Sequence, residues 1–193
     1  LIDLAGLPPE FTGVVIAALV LAPESIAAVR ASLANRPQTA INLALGLKSL
    51  GLRVAVLDAD VYGPSMPKLF GLTGRPEASG TEGKRMKPMA RYGVEVSSIG
   101  FLVDEDTPMI WRGPMVMSAL TQLLREVEWA ETDVMVIDMP PGTGDAQLTL
   151  AQQTPLSGAV IVSTPQDLAL IDARKGINMF KRVNVPLLGI VET

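Results

Sequence analysis

Apolar residues in this chain fall in short unbroken runs, and each run stops at a polar tip or a turn. Val14–Leu21, Val54–Leu57, Val134–Ile137, Ala159–Val162 and Leu187–Val191 are such runs. None alternates apolar with polar, so they predict strands buried on both faces. Val94–Ile99 is a weaker strand. Between the runs the spacing becomes helical. Ser25 caps an Ala-rich helix to about Asn35, and Pro37 breaks that helix or starts the next. Thr39–Leu50, with Ile41, Leu43, Leu45 and Leu47, predicts a mostly buried helix that stops at Gly51. Gly113–Glu128 spaces Leu120, Leu123, Leu124 and Val127 on one helical face. Ala146–Gln153 follows Asp145 as its N-cap, and Leu168–Arg182 is the longest helix, with Lys181 and Arg182 where the helix dipole favours cations. Residues 1–13 read as an irregular lead-in, 71–92 as a surface excursion and Phe101–Thr107 as an acidic loop.

Strands alternating with helices predict an α/β fold, a mostly parallel central sheet with helices on both faces, as a single domain over residues 1–193. Ligands in such folds gather at the carboxyl ends of the strands. Asp58, Asp60, Asp138 and Thr164 all fall at or just beyond those ends.

Composition narrows the chemistry. With 48% hydrophobic and 19% charged residues, the chain is globular rather than disordered. A net charge of −4 argues against a general nucleic-acid binder. The absence of Cys and His removes thiol nucleophiles, disulfides, His bases and zinc or iron–sulfur ligation by these residues. The Val14–Ala22 run is nine residues, far short of the roughly 18 that a membrane span needs, and no basic leader precedes it.

The richest stretch is residues 133–145. A buried strand ends on Asp138, Pro140, Pro141, Gly142 and Gly144 force a turn, and a helix follows. A nucleoside triphosphatase uses this order opposite its phosphate loop. The acid holds Mg²⁺, and a glycine offers its N–H to the terminal phosphate. The plainer reading, a strand-end acid before a turn, is common, but the whole string DMPPGTGD is much rarer. Asp58-Ala-Asp60 also has two readings: one acid facing metal or phosphate while the other orients a water, or two solvated strand-end acids. Arg112 reads as an anion contact or a surface ion-pair partner. Trp111 and Trp129 read as core or interface residues, and Met109, Met115 and Met117 as core filling or an adaptable surface. Pro165-Gln166-Asp167 is a helix cap first and a site second.

Four strings carry a resemblance: TAINLALGLKSLGLRVAVLDADVYGPSMPKLFGL, IGFLVDEDTPMIWRGPMVMSALTQLL, DVMVIDMPPGTGDAQLTLAQ and GAVIVSTPQDLALIDARKGINMF. From about Thr39 to Val191 the chain resembles the Mrp/ApbC family of ATP-binding iron–sulfur cluster carriers, relatives of the MinD/ParA ATPases. The resemblance implies a P-loop NTPase-like three-layer sandwich and a cytoplasmic homodimer enclosing ATP and Mg²⁺. It also implies slow hydrolysis coupled to passing a [4Fe–4S] cluster to apoprotein clients, with no nucleic acid and no membrane involved. Carried over by motif, Asp60 positions the attacking water and Asp58 lies in the metal and phosphate shell. Asp138 is the metal-binding acid, Gly142 and Thr143 meet the terminal phosphate, and Pro165 lies on the nucleotide.

Two departures qualify that expectation. The family's phosphate loop, GKGGVGKST, belongs just before Thr39, where this chain reads Arg30 to Gln38; no glycine lies between Gly13 and Gly46. A phosphate cradle needs inward backbone N–H groups, hence glycine, and a lysine. Residues 1–38 are therefore atypical of the family, and Arg30–Gln38 is expected to be helix, intact or broken at Pro37. Past the last strand the family continues through VENMS to a CxxC pair. Here Val191-Glu192-Thr193 puts Thr193 at the asparagine's place and no cysteine follows, so impaired ATP turnover and no cluster are expected. The rival readings are a MinD/ParA-type positioning ATPase and a non-catalytic dimerisation partner.

Overall fold

The computed structural model describes residues 14–20, 39–79, 85–103, 113–140, 142 and 144–192. The expected lead-in, the helix from Ser25, the Arg30–Gln38 segment, Met109, Trp111, Arg112, Thr143 and Thr193 lie outside the described residues.

Nine strands and five α-helices are described. In chain order they are β1 Val14–Val20, α1 over 39–49, β2 Val54–Asp58, α2 Met66–Phe70, β3 Ala78–Ser79, β4 Arg85–Met86, β5 Met89–Arg91 and β6 Val94–Ser98. There follow α3 Gly113–Arg125, β7 Val134–Asp138, α4 Asp145–Gln153, β8 Gly158–Ser163, α5 Asp167–Arg182 and β9 Leu187–Glu192. Seven strands form one sheet in the order β5-β6-β2-β7-β1-β8-β9. All its pairings are parallel except β5 with β6. The expected mixed α/β architecture is therefore the observed one.

The apolar runs of β2 and β7 are explained by two cores, one on each face of the sheet, whereas the Leu187–Val191 run, expected to be buried, forms the edge strand β9 and is largely exposed. Val54, Val56, Val134 and Val136 pack with Ala40, Ile41 and Ala44 of α1 and Met66 and Phe70 of α2. The alternate residues Ala55, Leu57, Met135 and Ile137 pack on the other face with Leu120 and Leu123 of α3, Leu150 of α4 and Phe180 of α5. A strand buried on both sides has no position for a polar residue until its end.

The structure corrects several expectations. Helix α1 is buried on one face only, and Leu50 beyond it is largely exposed. The described residues of the 71–92 excursion lie at the surface, as expected, but include strands: β3 pairs antiparallel with β4, Met86 bridges to Val127, and β5 is an edge strand of the main sheet. Short strands interrupted by Gly and Pro carry too little periodicity to be read from sequence. Helix α2 was not expected; Pro67 in its first turn and Gly71 in the left-handed conformation at its C-cap delimit it. Asp145 is the first helical residue of α4, and Gly144 is its N-cap. Ile99 leaves β6 for a single 3-10 turn through Phe101.

Candidate functional site

Three neighbouring strands, β6, β2 and β7, end level with one another. Ser98 pairs in register with Asp58, and Asp58 with Asp138. The Ala59 N–H donates to the Asp138 carbonyl at 2.9 Å, carrying the contact one residue past the strands. Asp58, Asp60, Asp138 and the Gly142 turn thus share the carboxyl end of the sheet, as expected from their place after apolar runs.

The two register-paired aspartates are bonded differently. Asp58 is fully buried, and its carboxylate accepts four hydrogen bonds. The donors are the N–H groups of Asp60, Ser65 and Met66, at 3.1–3.2 Å, and the Ser98 hydroxyl at 2.9 Å. Ser98 in turn accepts from the Gly100 N–H at 3.0 Å. Burial pushes the Asp58 carboxyl up to about 7, and the Asp60 charge adds to this, while the donors from Met66 and Ser98 hold it down. The sequence-based expectation placed Asp58 in a metal and phosphate shell. In this structure its oxygens accept from four groups of its own chain.

Asp138 is 6% exposed, and no hydrogen bond from a described residue reaches its carboxylate. Burial raises its carboxyl well above the ordinary range, and the charges of Asp58 and Asp60 raise it further. Asp60 is only partly buried. Its Oδ1 accepts from the N–H groups of Tyr62 and Gly63 at 3.2 and 3.3 Å, closing a tight turn around the carboxylate. The arrangement is three acids crowded at adjacent tips, one locked, one turned into its loop and one undonated. Among the described residues no group of three acidic side chains forms a ready metal cage. A cation at Asp138 would complete its shell from water and ligand oxygens, as Mg²⁺ commonly does.

After Asp138 the chain turns through buried Met139 and Pro140 to Gly142, whose φ of +94° disfavours any side chain. Pro165 is exposed just past the tip of β8, on the far side of β1 from Asp138. Beside it the Thr164 hydroxyl is buried with no partner. Gln166 is the N-cap of α5 but makes no capping bond through its side chain. Trp129 is core, as one reading had it, with its indole N–H unpartnered. Met115 is 47% exposed and does not fill the core, whereas Met117 packs against it. Sequence reasoning gave no role to Ser98 and Gln147. A hydroxyl in the last position of a strand, and a Gln three residues after a turn glycine, were the available signals.

The family profile of the NUBPL iron-transfer P-loop NTPases (ParA) matches residues 36–193. The chain belongs to this family. An iron-sulfur cluster carrier protein of Pseudomonas fragi is 55% identical over 158 residues, covering 82% of this chain and 55% of that protein. The iron-sulfur cluster transfer protein NUBPL of Mus musculus is 56% identical over 160 residues, covering 82% of this chain and 50% of that protein. The chain therefore spans about half the length of the curated relatives it matches. Among solved structures, a nucleotide-binding protein from Archaeoglobus fulgidus in complex with ADP superposes with a TM-score of 0.74 at 34% identity, covering 95% of this chain and 67% of that one. The MinC:MinD cell division protein complex of Aquifex aeolicus matches at a TM-score of 0.57 and 15% identity, covering 93% and 68%. That likeness shows the P-loop NTPase fold alone. The matched NUBPL segment begins at residue 36, close to where the sequence resemblance sets in at Thr39.

Proposed function

We propose that this chain supplies the magnesium-facing and terminal-phosphate-facing side of an ATP site, in a protein that carries iron–sulfur clusters to apoprotein clients. One observation carries the reading: a buried acid at the tip of a central strand, Asp138, lacks any described donor and is followed by a turn with Gly142 in a glycine-only conformation. A buried carboxylate without donors is costly, and a cation is what it suits.

In this reading Asp138 holds Mg²⁺, directly or through water. Asp60 orients the attacking water, its carboxylate fixed in place by the Tyr62 and Gly63 N–H groups. Gly142 and Thr143 meet the terminal phosphate, and Pro165 flanks the nucleotide. Asp58 acts at one remove: through the Asp60, Ser65 and Met66 N–H groups it sets the loop that presents Asp60. Bound Mg²⁺ would supply neutralisation of the phosphate charge. The reaction is slow hydrolysis of ATP to ADP and phosphate by one P-loop NTPase-like domain in a cytoplasmic homodimer, with neither nucleic acid nor membrane as partner. The [4Fe–4S] cluster is cargo, and these 193 residues bring no cysteine to it. No described helix is long and apolar enough to cross a membrane.

Mn²⁺·ATP titrated into the millimolar range tests the site. Paramagnetic broadening should reach the amides of Asp60, Asp138 and Gly142 first, and D138A should abolish it. Broadening centred elsewhere would sink the assignment. A second reading, a dimerisation partner that does not turn over ATP, is favoured by the lack of glycine between Gly13 and Gly46. Phosphate release by the unmodified chain would exclude it.

A further inference from the structure

Gln147 is a polar side chain with 6% exposure in the first turn of α4. Its amide reaches back under the turn. Nε2 donates to the Pro140 carbonyl at 3.5 Å. A Cβ built on Gly142 would stand 3.6 Å from Nε2, and one on Gly144 only 3.3 Å from Oε1. The carboxamide therefore lies against both glycines of the turn and is bonded to its first proline.

The two glycines answer to different constraints. Gly142 needs its positive φ. Gly144 has φ −81°, which any residue adopts, so its backbone does not require glycine. The space that Gly144 leaves is taken by Gln147. Gly144 is also an N-cap without a side chain, and Gln147 sits at the third helical position, from which Gln or Glu side chains reach back to the N-cap.

We propose that Gln147 is a positioning residue, a buried strut that holds Pro140, Gly142 and Gly144 in place and so sets where Gly142 presents its N–H. The inference rests on the reading that Gly142 faces the terminal phosphate, but its test does not. The ligand-free full chain and its Q147L variant are compared by ¹⁵N relaxation. Q147L keeps the bulk and removes the polar contacts. The backbone order parameters of Gly142 and Gly144 should fall from rigid values of about 0.85 to below about 0.6, while those of the β7 amides stay unchanged. Unchanged order parameters at both glycines would overturn the proposal, since a packing role alone predicts that result. A melting cycle provides a second route should Q147L fold poorly. G144A should lower the melting temperature with Gln147 present and lower it less in Q147A; equal losses would also overturn the strut. Separately, Mg·ATP titration of the unmodified chain reads the Gly142 amide. No shift there sinks the phosphate assignment and leaves the relaxation result standing.

Discussion

Strands β2 and β7 lie side by side, and their two ends are opposites. At the amino end, Arg53 and Asp133 precede the strands. The guanidinium meets the Asp133 carboxylate at 2.6 and 3.1 Å, the Arg53 N–H donates to the same carboxylate at 2.8 Å, and Glu131 joins the cluster. The bond from Arg53 holds the Asp133 carboxyl down, to about 2. At the carboxyl end two aspartates face each other in register, both buried and both with raised carboxyls. Opposite charges in water at one end serve stability. Like charges out of water at the other end oppose it, and such crowding persists where a ligand relieves it.

The largest test of the contrast asks whether the acidic end can hold a nucleotide alone. Charge-assisted hydrogen bonds in a phosphate loop contribute roughly 1.5–3 kcal/mol each. Three missing bonds cost on the order of 4–9 kcal/mol, or about three to six decades of affinity. The unmodified chain should bind Mg·ATP no better than millimolar by isothermal titration, and replacing Arg30–Gln38 with GKGGVGKST should restore tight binding. Micromolar binding by the unmodified chain would mean that another cradle exists.

A smaller effect tests the acidic end as a stability defect. Asp58 and Asp138 have folded carboxyls raised above the unfolded value of 3.8. Such groups favour the fold fully below that value, and the contribution is lost as pH rises through the folded value, about 7 for Asp58. Metal-free protein should therefore be less stable at pH 8 than at pH 5 by denaturant titration. D138N removes the buried ionisable group and should stabilise the chain by about 1–3 kcal/mol at pH 8, flatten the pH dependence and abolish the response to Mn²⁺·ATP. A destabilised D138N at pH 8 would show that the acid is partnered after all.

The smallest effect belongs to the amino end. Arg53 and Asp133 are substantially exposed, so their bonds are screened by water and salt. D133N should lower the melting temperature slightly, and the loss should shrink as salt is raised. Because its folded carboxyl is depressed, the Asp133 contribution is present above the unfolded value of 3.8 and fades as pH falls toward 2. A loss as large as the D138N effect would break the comparison between the two ends.

The sequence by itself determined the parallel sheet and the placement of its acids. Unbroken runs such as Val134–Ile137 suit strands buried on both faces, where a polar residue has no place until the tip, although the similar Leu187–Val191 run lies on an exposed edge strand. Asp58, Asp60, Asp138 and the glycine turn were legible because each follows such a run. Tertiary structure alone decided what each acid does. Asp58 and Asp138 look alike in sequence, and they diverge because Ser98, 40 residues on, and the start of α2 reach only Asp58. The strands within 71–92 and the reach of Gln147 to Pro140 also escaped the sequence. Hydrogen bonds between distant or short segments leave no periodicity along the chain, since they depend on which backbone groups folding brings within about 3 Å.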